Sequence, residues 1–130
     1  LNEATREELI QLQVIDGKEW LFYPCIYPDV ALIRGTSADT EGYITMEDEV
    51  LYTDSFATAM AAHNNGGIVI AQVERVVKAG TLPSKEVKIP GYLVDVIVEV
   101  PGQPQLYGVP TSGFVSGISR TSLTTAPPSP

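Results

Sequence analysis

Cysteine and histidine are almost absent: Cys25 and His63 are single examples in 130 residues. Cys25 has no partner for an internal disulfide, and the two together fall short of a tetrahedral zinc site. The expectation is a reducing, cytoplasmic compartment and no metal. Basic charge is also scarce: eight Lys and Arg stand against sixteen Asp and Glu, a formal net charge of −8. Nucleic acid and anionic membrane surfaces are therefore repelled on average. No apolar run approaches the ~20 residues that cross a bilayer, and the polar start has no signal-peptide pattern, so a soluble chain is expected. No G-x-G-x-x-G, G-x-x-x-x-G-K-[ST] or G-x-S-x-G occurs, which removes the standard nucleotide cradles and the strained serine elbow.

What is present is a globular composition, 44% hydrophobic and 18% charged, of a length that suits one domain, whole or partial. The start at Leu1 suggests that residue 1 is not the first of the gene product. Thr5 lies three residues before Glu8, a capping-box spacing that predicts a short helix over residues 2–11, carrying Leu9 and Ile10 and running into Leu12. Residues 13–23 (QVIDGKEWLFY) place two apolar arms around Asp16-Gly17, which predicts a β-hairpin with Trp20 and Phe22 on one face. Pro24 and Pro28 then bracket an extended connector.

Residues 30–33 (VALI) and 68–73 (IVIAQV) are nearly unbroken apolar runs, expected as strands buried on both faces of a parallel sheet. Between them come turn chemistry over residues 37–42, with Asp39 and Gly42 as turn residues, a brief strand at residues 43–45, and the acidic run Glu47-Asp48-Glu49. A helix follows. Thr53, Asp54 or Ser55 can cap it; Phe56, Ala59, Met60 and His63 share one face; Asn64-Asn65-Gly66-Gly67 ends it. The order strand, helix, strand predicts a right-handed crossover between parallel neighbours. Residues 75–88 read as a surface connection, 89–91 as a turn, and 92–100 (YLVDVIVEV) as a third strand near an edge. The fold class expected is α/β: part of an open, mainly parallel sheet with flanking helices, preceded by a hairpin. Residues 1–100 form the partial domain and residues 101–130, rich in Pro, Ser and Gly, an interdomain linker.

Candidate chemistry is thin. Glu47, Asp48, Glu49 and Asp54 offer oxygens to a hard cation, but the spacing from Asp39 lacks the calcium-loop alternation, and a solvated acidic loop is expected. His63 is the residue type of a general base, yet it falls in the last turn of its helix, where a donor suits the exposed carbonyls. Cys25 has no basic sequence neighbour that would activate it as a nucleophile, so a packed thiol is expected. Gly66-Gly67 could admit a ligand to the backbone, but helix termination already requires it.

Four segments nevertheless resemble the family I CoA-transferases, in the single-chain acetate/propionate branch: GKEWLFYP (residues 17–24), DVALIRGTSADTEGYITMEDE (29–49), AMAAHNNGGIVIAQVERVV (59–77) and VKIPGYLVDVIV (87–98). Their order and spacing are those of the family. The resemblance implies two homologous open α/β domains, this chain being the later part of the first. It implies ping-pong chemistry in which a glutamate attacks an acyl-CoA, forms an acyl-glutamyl anhydride, and is converted to a glutamyl-CoA thioester that a carboxylate acceptor resolves. CoA and short-chain acyl-CoA enter as substrates, with no tightly bound cofactor, and the implied partners are the rest of the polypeptide and further copies in a homo-oligomer.

The family's nucleophile is a Glu followed by a small residue and a glycine. No glutamate here has that context; Glu41 precedes Gly42 directly. The upstream glycine-rich loop is missing too. No catalytic residue is therefore assigned, and the nucleophile is expected outside this chain. The alternative is a non-catalytic binding or structural subunit on the same scaffold that pairs with another chain. Either reading predicts an interior-type strand, such as residues 30–33 or 68–73, with a bare hydrogen-bonding edge.

Overall fold

Asp16 and Gly17 have φ of 51° and 73°, the pair of positive angles that a tight hairpin needs. They join strand β1 (Gln11–Ile15) to β2 (Lys18–Phe22) in antiparallel register. The computed structural model describes residues 9–105 and 109–110. The helix expected over residues 2–11 lies largely outside these, and where it is described the expectation fails: Leu9 and Ile10 are not helical, and Gln11 and Leu12 belong to β1. Cross-strand pairing of Leu12 with Leu21 takes the chain that a capping box alone would have made helical.

The centre is a five-stranded sheet. Strand β3 (Val30–Asp39) pairs in parallel with β5 (Ile68–Val77), which pairs in parallel with β7 (Val96–Glu99). On the other side of β3 come two short antiparallel strands, β4 (Ile44–Thr45) and then β6 (Val87–Ile89). Helix α1 (Ser55–Asn64) connects the β3 side to β5 and packs across both strands. The crossover between parallel neighbours is as expected.

Both long strands run further than hydrophobicity suggested. β3 continues through Asp39, into what read as a turn, and β5 continues through Val77, because the pairs Ser37 with Arg75 and Asp39 with Val77 prolong the ladder. Residues 92–100 are less regular than expected. Ile89 ends β6, Gly91–Leu93 is a 3₁₀ turn, and only Val96–Glu99 is strand. Gly91 cannot carry a side chain there, since an added Cβ would meet the Glu41 backbone.

α1 is closed by Gly66 at φ 74°. Gly67 N donates to Ala62 O at 2.8 Å and Gly66 N to His63 O at 3.0 Å, the paired bonds of a Schellman stop. At the other end Asp54 is the N-cap residue but makes no side-chain capping bond. The helix meets the sheet through Ala59 and Ala62, both buried, while Phe56 and Met60 remain partly exposed.

The two faces of the sheet differ. Ala31, Ile33, Val69, Ala71 and Val73 are buried beneath α1. Their alternates Val30, Leu32, Ile68, Val96 and Val98 are exposed. The expectation of strands buried on both faces is thus met on one face only by the described residues. The edge prediction also holds: β4 reaches β3 only at Ser37 and Ala38, so residues 30–36 of β3 have no strand neighbour on that side among the described residues.

Candidate functional site

In open parallel sheets, ligands gather at the carboxyl ends of the strands. Here β3 and β5 carry two polar knots, one toward those ends and one at mid-strand. The first is built by the acidic loop after β4. Ser37 Oγ donates to Glu47 Oε1 at 2.6 Å, and Arg75 Nη2 donates to Glu47 Oε1 at 3.0 Å and to Asp48 Oδ2 at 3.3 Å. The Asp48 amide donates to Thr36 Oγ1 at 2.9 Å. Partial burial opposes ionisation of Glu47, but hydrogen bonds from Ser37 and Thr45, its own amide and Arg75 outweigh it and hold the carboxyl below the ordinary glutamate range. Burial likewise opposes the Arg75 charge, and Glu47 and Asp48 overcome it, raising the guanidinium above its ordinary value.

The second knot centres on Gln103, which is 4% exposed. Its Nε2 donates to the Gly35 carbonyl at 2.7 Å and to Glu49 Oε1 at 3.0 Å, and its Oε1 accepts from Gln72 Nε2 at 2.9 Å. Arg34 Nη1 donates to the Pro104 carbonyl at 2.8 Å and Nη2 lies 3.5 Å from Glu49 Oε1. Beside Arg34 and Gln72, on the uncovered sheet face, is a shallow depression of about 360 Å³ floored by Leu32, Ile70 and Val98.

Glu47 is exposed, as the expected solvated loop requires, while Asp48 and Glu49 are partly buried, and the three carboxylates also bind arginines, a hydroxyl and an amide. Asp54 is exposed at the helix start. Among the described residues no three His, Cys, Asp or Glu side chains form a metal-binding group. Asp39 is buried and organises loops: Oδ1 accepts from the amides of Glu41 and Tyr43 at 3.0 Å, and Oδ2 from Gly80 at 3.2 Å. His63 sits in the last helical turn with its ring edge-on to Tyr92, centroids 6.1 Å apart. Cys25 is exposed on its connector, not packed, because the residues between Pro24 and Pro28 make no strand that could bury it. The close approach at Gly67 is made by the chain itself, through the backbone of Pro28 and Asp29.

The sequence reading missed Arg34, Gln72, Arg75 and Gln103. A signal existed for two of them. Arg34 and Gln72 are each the fifth residue of an apolar run, VALIR and IVIAQ, and parallel pairing sets them side by side. Gln103 lay in Pro-Gly-Gln-Pro, which composition alone assigns to linker.

Comparison with known proteins bears on what such a scaffold serves. A family model described as Coenzyme A transferase matches residues 3–100. Acetate CoA-transferase YdiF of Escherichia coli (strain K12) is 56% identical over 118 residues, covering 90% of this chain and 22% of the relative. Caffeate CoA-transferase of Acetobacterium woodii is 49% identical over 98 residues, or 75% of this chain and 19% of the relative. A crystal structure of the acyl-CoA transferase YdiF from E. coli O157:H7, a thioester complex with CoA, aligns with a TM-score of 0.86 at 54% identity, covering 93% of this chain and 25% of that one. The chain spans about a quarter or less of the length of these relatives.

Proposed function

The chain belongs to the coenzyme A transferase family, and on that premise we propose that the protein it forms part of moves CoA between a short-chain acyl-CoA and a carboxylate such as acetate or propionate. The observation that carries this reading is the 56% identity to an acetate CoA-transferase along 90% of the chain. In this reading the described residues are the later part of a first domain, and residues 101–130 lead toward a second.

The reaction needs a carboxylate nucleophile that opens the thioester, releases CoA thiolate, and is itself converted to a glutamyl thioester before the acceptor carboxylate reverses the sequence. That glutamate lies outside residues 1–130. CoA takes part as substrate, without a tightly bound cofactor. The contribution of this chain is rigidity. Its parallel strands carry hydrogen-bonded polar knots, and its one covered face and bare β3 edge suit a sheet completed by further chain. The free thiol of Cys25 suits a reducing, cytoplasmic setting, and the exposed apolar side chains of the hairpin, Trp20, Leu21 and Phe22 among them, suit burial in a homo-oligomer.

The test is an exchange assay on the full-length protein. Incubation with propionyl-CoA and acetate is expected to give acetyl-CoA and propionate in equal amounts. Absence of exchange with every short-chain acyl-CoA and carboxylate tried would overturn the reading in favour of a non-catalytic subunit.

A further inference from the structure

The stretch after β7 has the composition of a linker and the contacts of a core element. Gln103 N donates to Val100 O at 3.1 Å. With Pro101 and a positive φ of 67° at Gly102, residues 100–103 make a type II turn that folds the chain back at once onto the sheet. There the Gln103 amide is buried, and three of its hydrogen bonds go to three separate segments: Gly35 on β3, Gln72 on β5 and Glu49 after β4. Arg34 fixes the next residue through the Pro104 carbonyl, the one backbone hydrogen-bonding group a proline retains. A connector whose only task is reach would stay on the surface with its polar groups in water. A buried amide held from several directions instead specifies one geometry, because any shift breaks several bonds in a site that water cannot easily replace.

We propose that Gln103 is a positioning residue: a latch, closed by Gln72, Glu49 and the Gly35 carbonyl, that sets the direction in which the chain leaves the first domain and so the placement of the second domain and its nucleophile. The inference rests on the two-domain reading above. It assigns Gln103 no contact with substrate. Its effect on the reaction is geometric, and a displacement of about 1 Å far from the reacting atoms can lower a rate by roughly 100-fold.

The experiment uses the full-length protein with Cys25→Ser and spin labels at Ser84→Cys and at one exposed position in the downstream domain. Ser84 is exposed and outside both knots. The latch predicts one narrow interdomain distance in the parent and a broadened or shifted distribution in Gln103→Leu. It also predicts a kcat lower by about 10- to 100-fold with KM for the acyl-CoA changed less than about twofold. Should Gln103→Leu fail to fold, Gln72→Leu decides by the same comparison, since it removes the amide that holds Gln103 Oε1 and leaves Gln103 itself in place. A distance distribution in a folded variant that coincides with the parent overturns the latch. An exchange-inactive parent overturns the functional reading instead, and the distance measurement still decides the latch.

Discussion

Arg34 on β3 and Gln72 on β5 stand directly opposite each other in the parallel ladder, and the residues they hold, Pro104 and Gln103, are adjacent in sequence. Two polar side chains placed at equivalent points of two apolar strands thus close on one short piece of chain. They occupy the uncovered face of the sheet with Leu32 and Ile70 for neighbours.

That face gives the first prediction. Leu32 is 75% exposed in this chain. If further chain covers this face, Leu32→Ala in the full-length protein costs about 2 to 5 kcal/mol, the range for truncating a buried leucine. If the face meets water, the cost stays within about 0.5 kcal/mol. Urea unfolding of the full-length pair distinguishes the two.

The stop of α1 gives the second. A Cβ at Gly66 meets open space and suffers only from the positive φ, whereas one at Gly67 would lie 2.7 Å from the Asp29 carbonyl carbon and 3.0 Å from the Pro28 oxygen. Gly66→Ala is expected to cost about 1 kcal/mol and Gly67→Ala about 2 to 3 kcal/mol. Equal costs in denaturant unfolding would contradict the crowding at Gly67.

Much of this was legible beforehand, for physical reasons that differ by element. The hairpin followed from Asp16-Gly17 because few dipeptides tolerate two positive φ angles, and the helix stop followed from Asn64-Asn65-Gly66-Gly67 in the same way. The parallel core followed from two β-branched runs flanking a helix. What the sequence hid depended on partners distant in the chain. The extension of β3 over Ser37 and Asp39 is visible only once β5 is beside it. The breakdown of residues 92–100 comes from the close pass of Gly91 against Glu41. The latch at Gln103 joins residues 31, 54 and 68 positions apart, and no local pattern marks a glutamine between two prolines as buried.

A third prediction concerns two acids at β7, Asp95 just before it and Glu99 at its end. Asp95 Oδ2 accepts from the Val69 amide and Glu99 Oε1 from the Val76 amide, each at 2.8 Å. β7 is shorter than β5, and the carboxylates of Asp95, just before it, and of Glu99, its last residue, serve β5 amides beyond the paired residues Ile70 to Val73. Val69 is fully buried, so Asp95→Ala leaves its amide without that acceptor and is expected to cost about 1 to 3 kcal/mol. Asp95→Asn, which keeps an oxygen there, should cost clearly less. The two variants falling together in thermal unfolding would assign the effect to something other than the amide.

The fourth concerns pH. Glu47 is held below the ordinary glutamate range in the folded protein, so its contribution is present above the unfolded value and fades as pH falls through the folded one. Both partners of the Glu47–Arg75 pair are more than a third exposed, which limits the pair to about 1 kcal/mol or less. Glu47→Gln should therefore be slightly less stable than the parent at neutral pH, and the two should converge in acid. A gap between the two stability curves that stays constant down to pH 2 would remove Glu47 as the titrating group.

The central claim is that this chain is scaffold and that the reacting carboxylate lies beyond it. Intact-mass and peptide analysis of the full-length protein after incubation with acyl-CoA tests this directly. The account predicts a CoA adduct in thioester linkage to a glutamate downstream of Pro130 and no adduct on any glutamate of residues 1–130. A CoA thioester on Glu41, Glu47, Glu49 or any other glutamate of this chain would contradict it.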